Sequence, residues 1–317
     1  MFTKRTFIQH LGVIALASAT LALPCWSQQT AAPLQVDLSP AQAGRVRVGK
    51  VASAAALIPR GYPFVTPGKL TVASIPNRLP YAVYASDSKT PIGAEPDVAQ
   101  LLADSLGLEL VLVPTVWADW PLGLSSGKYD AVIHNITITE ERKEKFDFSS
   151  YRADLLGFYV PLGSKIQKIS NPEDIAGLRV IVFSGTNQEK VLLNWIGQNK
   201  AKGLADTELQ YHDDDAIRDL ALQAGRADAY FGPNATSAFQ AARERKTRQV
   251  GTFSGGWPEN AEIGVATRKG TGLAPAITAA FNAQIQNGNY GKVLARWGLT
   301  AEAVAASRTN PPGLPKK

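Results

Sequence analysis

The sequence contains very few of the residues that thiol and metal chemistry require. It has 1 cysteine, 1 methionine and 3 histidines in 317 residues, and Met1, His10 and Cys25 all lie near the amino terminus. From residue 28 onward there is no cysteine, and the histidines are His134 and His212. These counts exclude disulfides, a thiol nucleophile and a cysteine-histidine metal cage for that part of the chain. We therefore expect no bound metal, no cofactor and no catalytic residue.

Charge is also modest, because charged residues make up 19% of the chain and the net charge is +6. The first 27 residues hold two basic and no acidic residues, so the remainder has a net charge of +4. No basic cluster is interleaved with aromatic residues, which argues against nucleic acid as a partner. After residue 27, no apolar run approaches the ~20 residues of a membrane-spanning helix.

Residues 1–27 have the order of a secretory signal peptide. A basic pair precedes an apolar run over 7–23, and small side chains follow at Cys25 and Ser27. We expect export to the periplasm with cleavage near Ser27. Lipidation of Cys25 is the alternative, but it favours a small residue where Pro24 lies. The choice between general and twin-arginine export stays open.

Strand and helix patterns alternate from residue 69 onward, and the same order begins again near residue 178. This alternation predicts an α/β fold of two lobes, each a sheet flanked by helices. The end of the chain has no core of its own, so it is expected to return to the first lobe, with crossings near residues 160 and 251. The predicted boundaries are 1–27 signal peptide, 28–67 extension, 68–160 plus 251–305 lobe 1, 161–250 lobe 2 and 306–317 tail.

Four segments in register resemble the periplasmic solute-binding proteins of polar amino-acid ABC importers, which are solute-binding family 3. The resemblance covers about residues 68–300 and implies a clamshell of the type II periplasmic binding fold, with mixed sheets and two hinge crossings. It also implies capture of an amino acid or related small carboxylate, delivery to an ABC permease at the inner membrane, and a monomer. The segments are Gly93-Ala94-Glu95-Pro96-Asp97-Val98-Ala99, Ser126-Gly127-Lys128-Tyr129-Asp130-Ala131, Thr137-Ile138-Thr139-Glu140-Glu141-Arg142-Lys143 with Phe146-Asp147-Phe148-Ser149, and Gly185-Thr186-Asn187-Gln188-Glu189.

By this resemblance Arg142 binds the carboxylate of the ligand. A guanidinium fork matches a carboxylate through two charge-assisted hydrogen bonds, and it stays charged at any working pH. The alternative is a solvated arginine in a charged run. The other candidate ligand-binding residues are Asn135, Thr137 and His134 after a strand, Thr186 and Asn187 at a helix start, the aromatic residues Trp117 and Tyr81, and Asn234. Each has a structural alternative, namely turn or helix capping for the polar residues and core packing for the rings.

The sequence departs from the family at the site for the α-amino group. The usual aspartate, five residues after Asp228, is replaced by Pro233, so Asn234, Glu95 and Asp97 remain as alternatives. The position that often carries an acid for cationic ligands holds Ile75, which argues against lysine or arginine.

Two rival functions use the same fold. One is a periplasmic dehydratase acting on a cyclohexadienyl acid, with His134 or Glu95 transferring a proton. The other is a ligand sensor that takes no part in transport.

Overall fold

The computed structural model describes residues 36–212 and 214–316. Its strands are β1 Lys69–Ser74, β2 Val83–Tyr84, β3 Pro91–Ile92, β4 Glu109–Pro114, β5 Ala131–Val132, β6 Phe146–Ala153, β7 Leu155–Pro161, β8 Arg179–Val182, β9 Glu208–Tyr211, β10 Ala229–Pro233, β11 Thr247–Ser254 and β12 Glu262–Arg268. Its helices are α1 Ala52–Ala55, α2 Ala94–Leu106, α3 Trp120–Ser125, α4 Glu140–Lys143, α5 Asn187–Ala201, α6 Asp215–Gln223, α7 Asn234–Glu244, α8 Leu273–Gln286 and α9 Asn289–Arg296.

Two five-stranded sheets of matching design define two lobes. The lobe 1 sheet has the order β4-β1-β5-β12-β6, and the lobe 2 sheet has the order β11-β7-β10-β8-β9. Each sheet combines parallel pairs, such as β1 with β4 and β8 with β9, with antiparallel pairs, such as β5 with β12 and β7 with β10. The mixed two-lobed α/β architecture expected from the sequence is confirmed.

Apolar periodicity explains how the lobes are covered. Helix α2 buries most of its length, including Leu101, Leu102 and Leu106, against the core that it shares with α8 and α9. Lobe 2 has a separate core in which Phe158, Trp195 and Phe231 stack. Within the described residues, no helix has both the length and the apolar character that spanning a membrane requires.

The chain crosses between the lobes at different residues from those expected. Asp154 is the residue between β6 and β7, and the return crossing lies over 255–261, between β11 and β12. Our crossings near residues 160 and 251 are therefore displaced, because β7 and all of β11 belong to lobe 2. Residues 146–161 are nearly continuous extended chain, so no turn or breaker residue marks the change of sheet.

The described part of the predicted extension and the tail both pack on lobe 1. Arg45 pairs with the buried Asp97 at 2.7 Å, and Arg47 pairs with Asp104 at the same distance. The tail follows the edge strand β6, where the Asn310 N–H donates to the Phe148 carbonyl at 2.8 Å. These segments thus cover a helix face and a sheet edge that would otherwise be exposed.

Candidate ligand-binding cleft

The predicted ligand residues of lobe 1 collect at one edge of its sheet. Tyr81 follows β1, Trp117 follows β4, and the segment 133–139 follows β5. Because β1, β4 and β5 run in parallel, their carboxyl ends meet at this edge, where α/β sheets bind ligands. In lobe 2, the corresponding ends of β8 and β10 lead into the amino termini of α5 and α7.

The two lobes touch across this cleft. Arg78, in the loop after β1, donates from Nε to Asp215 Oδ2 of lobe 2 at 2.7 Å, and its guanidinium lies 5.9 Å from the centre of the Phe183 ring. Glu141 of lobe 1 pairs with Lys190 of lobe 2 at 2.5 Å. The lobes are therefore in contact across the cleft, where Tyr81, His134 and Asn187 are buried and Trp117 and Arg142 are partly exposed.

Arg142 lies in α4, the short helix that Thr139 caps by accepting a hydrogen bond from the Arg142 N–H at 3.1 Å. Its guanidinium lies 5.5 Å from the centre of the Trp117 ring, and Nη1 donates to the Thr137 carbonyl at 2.8 Å. Among the described residues, no carboxylate forms an ion pair with it. Burial lowers the pKa of Arg142 to about 10, against the opposing effects of Asp154 and Glu141. The group remains a cation at neutral pH, with donors left over for an anion.

Two aromatic rings and His134 form a wall beside Arg142. The His134 ring lies 6.0 Å from that of Tyr81 and 6.4 Å from that of Trp117. Burial lowers the pKa of His134 to about 3, and the positive charges of Arg152 and Arg78 act in the same direction. Its Nδ1 is buried without a hydrogen-bond partner. The imidazole is thus neutral and offers a polar atom inside an otherwise apolar wall.

Asn135 and Thr137 are each held by charged neighbours. Asn135 adopts a left-handed backbone with φ 41°, and its Oδ1 accepts a hydrogen bond from Arg152 at 2.9 Å. The Thr137 hydroxyl donates to Asp154 Oδ2 at 2.6 Å. Both side chains therefore have partners within the protein, and their ligand-binding roles stay predictions.

The lobe 2 candidates differ in whether their side chains have hydrogen-bonding groups free for a ligand. Thr186 caps α5, because its hydroxyl accepts from the Glu189 N–H at 3.3 Å and donates to the Phe183 carbonyl at 2.7 Å. Asn187 is 7% exposed, and its Nδ2 is buried without a partner at the start of the same helix. Asn187 therefore presents an unused donor where helix geometry favours an anion.

Asn234 has no acceptor to spare. Its Oδ1 accepts a hydrogen bond from the Tyr159 hydroxyl at 3.0 Å and another from the Gln249 side chain. The structure brings Asn234 to the start of α7, but its carbonyl oxygen is used within lobe 2.

The sequence interpretation missed a buried ionic network behind the cleft. Arg152 is 1% exposed and pairs with Glu95 at 2.8 Å and also with Glu302. Burial raises the pKa of Glu302 to about 7, against the effect of Arg152. The Arg152 guanidinium lies 4.9 Å from the centre of the Tyr81 ring, so the network supports the aromatic wall. The available signal was an arginine inside the segment Phe146–Ala153, which forms strand β6.

Comparison with known proteins agrees with this geometry. The family of bacterial extracellular solute-binding proteins, family 3, matches residues 70–300. The L-cystine-binding protein TcyJ of Escherichia coli K12 is 31% identical over 220 residues, covering 69% of this chain and 78% of the relative. The arginine-binding protein ArgT of Corynebacterium glutamicum is 30% identical over 243 residues, covering 73% and 75%. The chain belongs to solute-binding family 3.

The fold comparison leads to the same class. An ancestral arginine-binding protein bound to glutamine superposes with a TM-score of 0.62 at 29% identity, covering 74% of this chain and 99% of that one. The cyclohexadienyl dehydratase of Pseudomonas aeruginosa is 34% identical over 82 residues only, which is 26% of this chain and 30% of the enzyme. The chain is thus an extracellular solute-binding protein of the amino-acid-binding type.

Proposed function

We propose that this protein captures a neutral amino acid in the periplasm, as a monomer, and presents it to an ABC permease. The observation that carries the proposal is the Arg142 guanidinium, which is partly buried, cationic and forms no ion pair with an acid among the described residues. Asp154 and Glu141 offset only part of the cost of withdrawing this cation from water, so an anion that binds it directly completes the site. The ligand carboxylate is that anion.

Closure follows from contacts to both lobes. The carboxylate binds Arg142 in lobe 1, and the Asn187 amide donates to the ligand from lobe 2. A ligand that bridges the lobes shifts the population toward the closed form in proportion to its differential affinity. The Arg78–Asp215 pair joins the same two surfaces, so it adds to the stability of the closed form.

Two relatives bind neutral amino acids by name, the glutamine-binding protein GlnH of Bacillus subtilis and TcyJ. Ile75, at the position where family members with cationic ligands often carry an acid, is 4% exposed and packs among apolar residues near Trp117 and Trp120. A lysine or arginine side chain directed there would leave its charge without a partner, so we expect a neutral side chain or cystine.

We also propose that the protein binds without catalysing a reaction. A neutral His134 with a pKa of about 3 is a weak base, and Glu95 is already bonded to Arg152 at 2.8 Å and to the Tyr151 hydroxyl at 2.6 Å. Neither group is free to transfer a proton as the dehydratase alternative requires.

A thermal-shift screen tests the function. The exported protein is mixed with the standard L-amino acids, L-cystine, their amides and their deaminated analogues. Ligand at about 100 times its Kd stabilises the fold by about 2.7 kcal/mol, so a true ligand raises the melting temperature clearly. If no carboxylate raises it, the proposal fails.

Transport is tested separately in cells. Deletion of the gene should abolish uptake of the radiolabelled ligand at low concentration, and plasmid expression of the protein should restore it. Unchanged uptake would instead support the sensor alternative. The amino-terminal sequence of the exported protein tests processing, which we propose leaves Gln28 first.

A further inference from the structure

The α-amino group of the ligand lacks its usual acceptor, since Pro233 stands in that position, and the described acids and amides near the cleft are nearly all in use. Asp97 is paired with Arg45 and Arg296 on the outer side of α2. Glu95 belongs to the Arg152 network, and Asn234 Oδ1 already accepts two hydrogen bonds. An ammonium group bound by any of these would have to displace an existing partner.

Asp154 can accept a hydrogen bond from an ammonium group without losing an ion-pair partner. It is 3% exposed, yet no lysine or arginine of the described chain forms an ion pair with it. Its side-chain bond is the one that Oδ2 accepts from the Thr137 hydroxyl at 2.6 Å. Burial raises the pKa of Asp154, while Thr137, Arg152 and Arg142 act in the opposite direction. A carboxylate in this setting is stabilised by a cation brought from outside.

Thr137 holds this carboxylate next to the carboxylate-binding arginine. The carbonyl of Thr137 accepts from Arg142 Nη1 at 2.8 Å, and its hydroxyl donates to Asp154. One residue therefore separates an unpaired cation from an unpaired anion. An amino acid head group presents a carboxylate and an ammonium close together, so Arg142 and Asp154 offer one partner for each charge.

The fold also fixes where the Asp154 carboxylate points. Asp154 occupies the first crossing between the lobes, and its backbone N–H and carbonyl bond to Ala261 and Gly255 of the second crossing at 2.9 and 2.8 Å. A Cβ at Gly255 would collide with the Asp154 carboxylate, so the glycine leaves room for it. The Asp154 carboxylate is therefore held between the two crossings.

We propose that Asp154, at the first hinge crossing, binds the α-ammonium group of the ligand, with Thr137 orienting its carboxylate. The inference rests on the proposed function, because it assumes a ligand whose carboxylate binds Arg142. Binding of the ammonium group by Asp154 makes the protein selective for amino acids over deaminated acids, although the acid usual in lobe 2 is absent.

The test compares matched ligand pairs on the full exported protein by isothermal titration calorimetry. The pairs are L-glutamine with glutaramate and L-cystine with 3,3′-dithiodipropionate, together with any amino acid found in the thermal-shift screen and its deaminated analogue. The wild type should prefer the amino acid. Asp154→Asn keeps the shape and an acceptor for Thr137 but removes the charge, so it should weaken amino acid binding by about 10- to 100-fold. It should change binding of the deaminated acid by less than about threefold.

Asp147→Asn is the control, because Asp147 lies on β6, the strand that leads to Asp154, and its carboxylate accepts hydrogen bonds from Gly270 and Asn310. It should leave both affinities unchanged. Equal weakening of both ligands by Asp154→Asn, or an unchanged amino acid affinity, overturns the assignment. A wild type that binds deaminated acids as well as amino acids also overturns it, while solute binding stands. A wild type that binds no carboxylate refutes the proposed function itself.

Discussion

Replacement of Arg142 by alanine gives the sharpest test of the carboxylate site. The guanidinium is partly buried beside Trp117 and donates one hydrogen bond to the Thr137 carbonyl, which leaves its other N–H groups for the ligand. Truncating one partner of a buried hydrogen-bonded charge pair costs about 2 to 5 kcal/mol. At about 1.4 kcal/mol for each factor of ten, Arg142→Ala should weaken binding by about 30-fold to several thousandfold.

The same substitution has an opposite effect on the unliganded protein. Removing this cation relieves the desolvation cost that lowers its pKa, and the loss of its attraction to Asp154 and Glu141 and of its hydrogen bond to Thr137 offsets part of this. We expect the free energy of unfolding to change by less than about 1 kcal/mol or to rise. Loss of binding in a protein of undiminished stability separates function from misfolding.

Calorimetry with the ligand from the screen, and urea unfolding without it, measure the two effects. Arg142→Lys keeps the charge but loses the planar fork, so its affinity should lie between those of the wild type and Arg142→Ala. Arg243→Ala is the control, because Arg243 is 49% exposed and pairs with the adjacent Glu244. An Arg142→Ala affinity within about threefold of the wild type refutes the assignment.

Three further predictions concern closure, core and pH. Asp215→Ala removes the Arg78 contact across the cleft. Because both side chains are partly exposed, we expect the closed form to lose about 1 kcal/mol of stability. Stopped-flow measurements should show this as faster ligand dissociation. Arg152→Ala leaves Glu95 buried without its cation and should lower the free energy of unfolding in urea by about 3 to 5 kcal/mol. His134 has a pKa of about 3 in the folded protein, against an ordinary value of 6.5, so below pH 6.5 the unfolded chain takes up a proton that the folded chain does not. Stability from this group is therefore lost as pH falls, and the advantage of the wild type over His134→Gln should shrink by about 2 kcal/mol between pH 7 and pH 5 in urea unfolding.

Each of these has its own control. Arg179→Ala breaks a half-exposed pair with Asp228 and should lower the free energy of unfolding by less than about 1 kcal/mol. An equally small decrease for Arg152→Ala would contradict the buried network. If Arg78→Ala and Asp215→Ala have additive effects on ligand dissociation in a double-mutant cycle, the two residues are not coupled. Parallel pH profiles for the wild type and His134→Gln would show that the histidine is not protected from protonation.

The hinge shows why the lobes were predicted better than their junctions. Alternating strand and helix patterns depend on local periodicity, which is readable along the chain. The change of sheet at Asp154 occurs inside extended chain, where the backbone conformation is the same on both sides. Only the pairing of β6 with β12 and of β7 with β10 assigns these neighbouring strands to different lobes.

The sequence by itself determined the two-lobed α/β plan and the family, because both depend on periodicity and on motifs of contiguous residues. It also predicted Arg142 as the carboxylate-binding residue, because the motif around Arg142 is local. Tertiary structure alone decided which charges are paired. Arg152 meets Glu302 across 150 residues, while Arg142 and Asp154, 12 positions apart, meet no ion-pair partner in the described chain. Electrostatic complementarity depends on distance and burial in space, and for that reason the unpaired cation and anion beside Thr137 became visible only in the folded molecule.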